Sequence, residues 1–206
     1  MGTRNLTMVI QNEKTKIAQY GQWDGYPEGN GVRILDFVRS KLRMQKLREK
    51  LKNVKFSTKK DEKKVDDFLK SIGCADGWMN QGQAAEYHKA FPYLSRDIGA
   101  GILELVSEST DKEIILVNST DFAGDSLFCE WAYVIDLDNN QLEVYSGFNK
   151  SPLGPEERFA HMKRSKDSSE YGAIRFLKKY DLNALPTKKK FISELKKKEK
   201  ETADVE

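Results

Sequence analysis

Over residues 127–147 two strand-like runs, the first with side chains alternating between two faces, flank one tight turn, and this commits the chain to a sheet. Trp131, Tyr133, Ile135 and Leu137 share one face of an extended segment, with Glu130, Ala132, Val134 and Asp136 opposite, because successive strand side chains point to opposite sides. Asp138-Asn139-Asn140 provides turn residues, and 141–147 returns as the second arm of a hairpin. The opening of the chain repeats the pattern. Leu6, Met8 and Ile10 alternate with Asn5, Thr7 and Val9, and a turn over 12–15 leads into a second strand over 16–23.

Between and after these hairpins the spacing changes to that of helices. Val32, Leu35, Val38 and Leu42 predict one helix over 31–50, and Val65, Phe68, Leu69 and Ile72 a second over 61–72. Helices are expected over 83–90 and 95–107, separated by Pro92, with Ser95 as the N-cap of the latter. A short strand is expected at 113–117, helices at 155–162 and 169–180, and a charged helix or tail at 188–206. Strands, then helices, then strands, then helices describe an α+β chain with an antiparallel or mixed sheet, not a doubly wound parallel one. The expected division is a single domain over 1–187 followed by the charged segment.

The 206 residues suffice for one buried core. No secretory signal or membrane-length apolar stretch opens the chain, and Leu6 stands where a myristoylation signal requires Ser or Thr. Cys74 and Cys129 cannot make a disulfide framework, and with only His88 and His161 they offer no zinc spacing. A cytoplasmic protein without metal or cofactor is expected. Charge is divided unevenly. Residues 39–64 hold twelve Lys and Arg against three Asp and Glu, whereas 101–144 hold ten acids and the single Lys112. A solvated helix face explains the basic run; a nucleic-acid footprint is the alternative, weakened because Phe56 is its lone aromatic.

The richest candidate site is the loop over 21–31, where Gly21, Gly25, Gly29 and Gly31 imply tight backbone geometry, with positive φ at some positions. Trp23-Asp24-Gly25-Tyr26 places two aromatics around a carboxylate, a set able to stack a planar ring and accept its N–H. The core reading is that Trp23 ends the strand while Asp24 caps the turn. Gln22 adds an amide beside it. Arg4 and Asn5 lie at one end of the first strand, where Arg4 would clamp an anion or pair with Asp24 or Glu130. Asn118, Asp121 and Asp125 occupy a polar loop lacking a calcium loop's full spacing, so a capped turn is the simpler reading. Convergence of Asp121, Asp125 and Glu130 with Asp24 would permit acid–base chemistry. The two loops together are the expected ligand pocket.

Met1-Gly2-Thr3-Arg4-Asn5-Leu6-Thr7, Ala18-Gln19-Tyr20-Gly21-Gln22-Trp23-Asp24-Gly25-Tyr26-Pro27 and Phe128-Cys129-Glu130-Trp131-Ala132-Tyr133-Val134-Ile135-Asp136-Leu137 resemble an uncharacterised family of proteins from phages, bacteria and some fungi. The resemblance implies a host-interaction or counter-defence role. The element order is also similar to the layered αββα plan of N-terminal-nucleophile hydrolases, which need Cys, Ser or Thr as the first mature residue. Gly2 stands there, so Thr3 would have to be exposed by removal of Gly2 as well. The reading is a non-enzymatic binding or regulatory protein whose partner is a small planar or nucleotide ligand or a host protein. A hydrolase using Thr3 or a carboxylate cluster is the alternative, and nucleic-acid binding through 39–64 is the third.

Overall fold

The computed structural model describes residues 2–74, 78–162 and 170–203. Two hairpins build its main sheet. The first pairs β1 (Asn5–Gln11) with β2 (Lys14–Gly21), turning at Asn12 and Glu13, whose φ values of 55° and 58° are left-handed. The second pairs β5 (Trp131–Asp136) with β6 (Gln141–Ser146). β1 and β5 join the hairpins in parallel, and β7 (Arg175–Asp181) adds an antiparallel edge, giving the order β2-β1-β5-β6-β7. The sheet is mixed and the class α+β. A two-stranded parallel sheet of β3 (Val54–Phe56) and β4 (Ile114–Leu116) stands apart.

One face of the large sheet is covered by helices. Val9, Ile17, Tyr133, Ile135 and Val144 project into a core shared with α1 (Val32–Arg39), α2 (Lys41–Lys50), α5 (Ile102–Glu108) and α6 (Lys188–Ala203). The basic run contributes to this core because Met44, Leu47 and Leu51 turn inward at helical spacing while its cations face out. Phe191 and Leu195, four apart, seat α6, with the Phe191 ring 5.2 Å from that of Tyr180. α3 (Lys59–Ser71) and α4 (Gln81–Ala90) lie outside and bury no residue fully.

The opposite face carries irregular chain instead of a second full sheet, so the described residues do not form the αββα layering. Leu6, Met8, Ala132, Val134 and Tyr145 meet Ala123, Cys129, Phe159 and Ile174. This cover is stitched by Ser126 N–H to the Gly172 carbonyl at 3.0 Å and Ile174 N–H to that of Ala123 at 2.9 Å. Arg158 clamps it from above. Its Nε donates to Glu143 Oε2 at 2.8 Å and its Nη2 to Asp136 Oδ2 at 2.6 Å, while Tyr145 donates to Glu143 Oε2 at 2.6 Å.

Several boundaries differ from the sequence expectation. Ser40 breaks the helix expected over 31–50, extending at φ −82°, ψ 103° and capping α2 by accepting from Arg43 N–H. The helix expected from Ser95 starts only at Ile102, because Gly99 takes φ 51° and Ser95 closes a turn onto Asp97 N–H. Residues 155–162 form turns, not a helix. Within the helix expected over 169–180, Ser169 lies outside the described residues and 175–181 is β7. No helix among the described residues is long and apolar enough to cross a membrane.

Candidate functional site

The loop after β2 is held by its backbone and leaves its aromatic side chains outside. Asn5, fully buried at the start of β1, donates Nδ2 to the carbonyls of Gly21 at 3.3 Å and Trp23 at 3.1 Å. Asn30 donates to the same Trp23 carbonyl at 2.9 Å. The Tyr133 hydroxyl, rising from β5 inside the core, donates to the Gly25 carbonyl at 2.9 Å. Burial, with lesser contributions from Glu28 and Glu199, pushes the Tyr133 phenol well up, so it remains a donor. Gly25 N–H to Thr3 and Asn30 N–H to Asp24, at 2.9 and 2.7 Å, complete the tie. Glu28 also pairs with Lys196 of α6, which holds its carboxyl below the ordinary range.

None of the four loop glycines adopts positive φ, contrary to expectation. Asp24 does so instead, at 55°, a conformation that Asp tolerates better than most side chains. What the loop needs from glycine is space. A Cβ on Gly29 would lie 2.3 Å from the Asp24 carbonyl oxygen, so any larger residue would open the turn.

Trp23 is 53% exposed and Tyr26 41%. The Trp23 ring rests on Gly2, where a Cβ would come within 2.3 Å of Cε3. Tyr26 donates its hydroxyl to Asp24 Oδ1 at 3.2 Å, and the Asp24 carboxylate beside it raises the Tyr26 pKa. Asp24 thus carries a hydroxyl on its outer side instead of capping backbone amides. Gln22 turns away to accept from Tyr20 and Arg96.

Of the other candidate residues, Arg4 abuts Gly25 through its carbonyl and meets Glu130, whereas Asn118, Asp121 and Asp125 lie in a separate turn. The Arg4 side chain does not pair with Asp24 or Glu130 among the described residues. Its guanidinium lies 4.3 Å from the Phe128 ring centroid, and its backbone N–H donates to Glu130 Oε1 at 3.1 Å. Asn118 accepts from Thr120 N–H at 3.1 Å and its hydroxyl at 2.6 Å, a capped turn. Asp121 is exposed and Asp125 half-buried in the short helical turn that sends Phe122 and Ala123 against the irregular face. Gly25, by contrast, is fastened by Tyr133 on the helical face. The two loops therefore belong to opposite sides of the sheet.

Cys129 is fully buried, and burial, then Asp125 and Glu130, hold its thiol well above the ordinary value, so it stays protonated and unreactive. Among the described residues no group of three or more His, Cys, Asp or Glu is arranged to hold a metal ion. Asn30 and Tyr133 were not singled out from the sequence as site residues. A tyrosine on the inward face of a central strand must find a partner for its hydroxyl, which is the signal that points to it. Comparison with protein-family models, curated proteins and solved structures found no match.

Proposed function

We propose that this chain is a non-enzymatic binding protein that recognises a partner protein through Trp23, Asp24 and Tyr26. The observation that carries this reading is the half-exposure of two large aromatics, 53% and 41%, on a backbone fixed by Asn5, Asn30 and Tyr133. Ordered, solvent-facing Trp and Tyr bury large area on association at small entropic cost, as interface hot spots do. A small planar ligand is less well served, because such ligands bind tightly where walls enclose most of their surface. A host-interaction or counter-defence role fits this surface and the family resemblance together.

The test is affinity capture from host lysate with wild type and with Trp23→Ala and Tyr26→Ala, followed by measured affinities for any protein retained. Each variant is expected to lose about 2 kcal/mol or more of binding while keeping its circular dichroism and melting profile. A partner held equally well by both variants would remove the loop from recognition. A nucleotide that stabilises wild type but not Trp23→Ala would instead make the loop a stacking site for a planar ligand.

A further inference from the structure

The basic run has a concave part. A cavity of about 490 Å³ opens where the break at Ser40 meets the far end of the β6–β7 pair. Its lining is mixed: Val38, Met44, Leu182 and Leu185 supply apolar surface, Asn140 and Asn183 amides, and Arg39, Lys41 and Arg48 three cations. Helical geometry explains the grouping. Residues 41, 44 and 48 of α2 stand three and seven apart, so they share one face, whereas Lys46 points away from it.

The three cations are not equivalent. Arg39 is already oriented, donating to the Pro186 carbonyl and lying 3.6 Å from Asp36. Asp36 is further neutralised by Lys188 at 2.5 Å. The side chains of Lys41 and Arg48 have no ion-pair or hydrogen-bond partner among the described residues. Asp181, at the end of β7, is not a wall of the cavity; it accepts from Asn140 Nδ2 at 3.0 Å and Asn183 N–H at 2.8 Å. Lys41 also opens α2, whose free N–H groups add positive potential at that end.

We infer that this cavity is a second binding site, for a phosphorylated small molecule with an apolar or planar body, its phosphates on Lys41 and Arg48 and its body against Met44 and Leu185. The volume falls within the range of small-ligand pockets. A guanidinium and an ammonium beside apolar side chains and two amides suit an anion attached to an uncharged body better than a bare ion. A long nucleic acid is disfavoured because the paired cations line a recess, while Arg43 and Lys46 on the outer surface have no aromatic platform beside them on α2.

The test uses the whole chain and calorimetric titration with ATP, with tripolyphosphate and with a short DNA duplex at two salt concentrations. ATP is expected to bind, and Lys41→Gln or Arg48→Gln to weaken it by about tenfold each. Lys46→Gln, on the opposite face, is expected to leave it unchanged. Trp23→Ala should not affect ATP binding, which separates this site from the loop reading. Absence of ATP binding, equal loss in Lys46→Gln, or tripolyphosphate binding as tightly as ATP would overturn the assignment. Duplex binding tighter than ATP with a steep salt dependence would overturn it in favour of nucleic acid.

Discussion

Residues 21–31 on the helical side and residues 118–126 on the other are both short and rich in Gly, Asn and Asp, but they satisfy their polar groups differently. The first hands its carbonyls to donors far away in sequence, Asn5 and Tyr133, together with nearby Asn30. Its own side chains are thereby freed for solvent. The second bonds to itself through Asn118 and Thr120 and spends its apolar residues, Phe122 and Ala123, on the core. The cover on that second side, which has no α-helix among the described residues, depends on the ionic clamp of Arg158. A segment pinned from outside presents a surface; a segment that caps itself fills one.

Breaking the clamp is expected to have the largest effect. Arg158→Met would strand Asp136 and Glu143, 1% and 8% exposed, and should cost about 3 kcal/mol in urea unfolding. Loop recognition by Trp23 should survive in the fraction that remains folded. If the cost is below about 1 kcal/mol, the clamp is not what holds the irregular cover.

Acid should act on that same side. Burial works to raise the Asp136 carboxyl, but hydrogen bonds from Asn139 and Arg158 outweigh it and hold the pKa below its ordinary 3.8. A depressed carboxyl stabilises the folded state above the unfolded pKa and loses that contribution as pH falls through the folded one. Stability should therefore decline below about pH 3.8, and Arg158→Met should flatten the decline. An unchanged pH profile in the variant would separate the clamp from the titration.

On the glycine-loop side, Tyr133→Phe should cost about 1–2 kcal/mol by leaving the Gly25 carbonyl without its buried donor. It should also shift Trp23 emission, since the loop would loosen. Equal stability with unaltered emission would mean the loop is pinned without that hydroxyl. Asn118→Ala is the smallest change, about 0.5 kcal/mol from one exposed cap, with no effect on partner binding. A loss of binding there would bring the two loops back into one site.

Both hairpins of the main sheet are legible in the sequence because residues two apart share a face along β1 and β5, although both faces are buried, each in its own core. β7 is not, for a definable reason. Its register slips opposite Val144 and Tyr145, so its buried residues, Leu177 and Tyr180, fall three apart and mimic a helix. Residues 155–162 mislead because Gly154 and Glu157 bond to each other as a turn would, beside the long-range partners of Arg158. The exposure of Trp23 and Tyr26 is consistent with the glycine density that marked the loop, whereas the Asn5 and Tyr133 donors that fix it depend on strand pairing that no local pattern reveals. The cavity at Lys41 and Arg48 was hidden likewise, since its far wall comes from residues 182–185.

The parallel pairing of Asn5 with Trp131 has a kinetic consequence. Each hairpin can zip on its own within microseconds, but uniting them closes a span of more than a hundred residues, and the entropy of that closure must be met before any contact repays it. Tyr133 reaches Gly25 only after this docking. The aromatic face is thus fixed only once the hairpins have docked, and on the proposed reading a nascent or partly denatured chain would not present it.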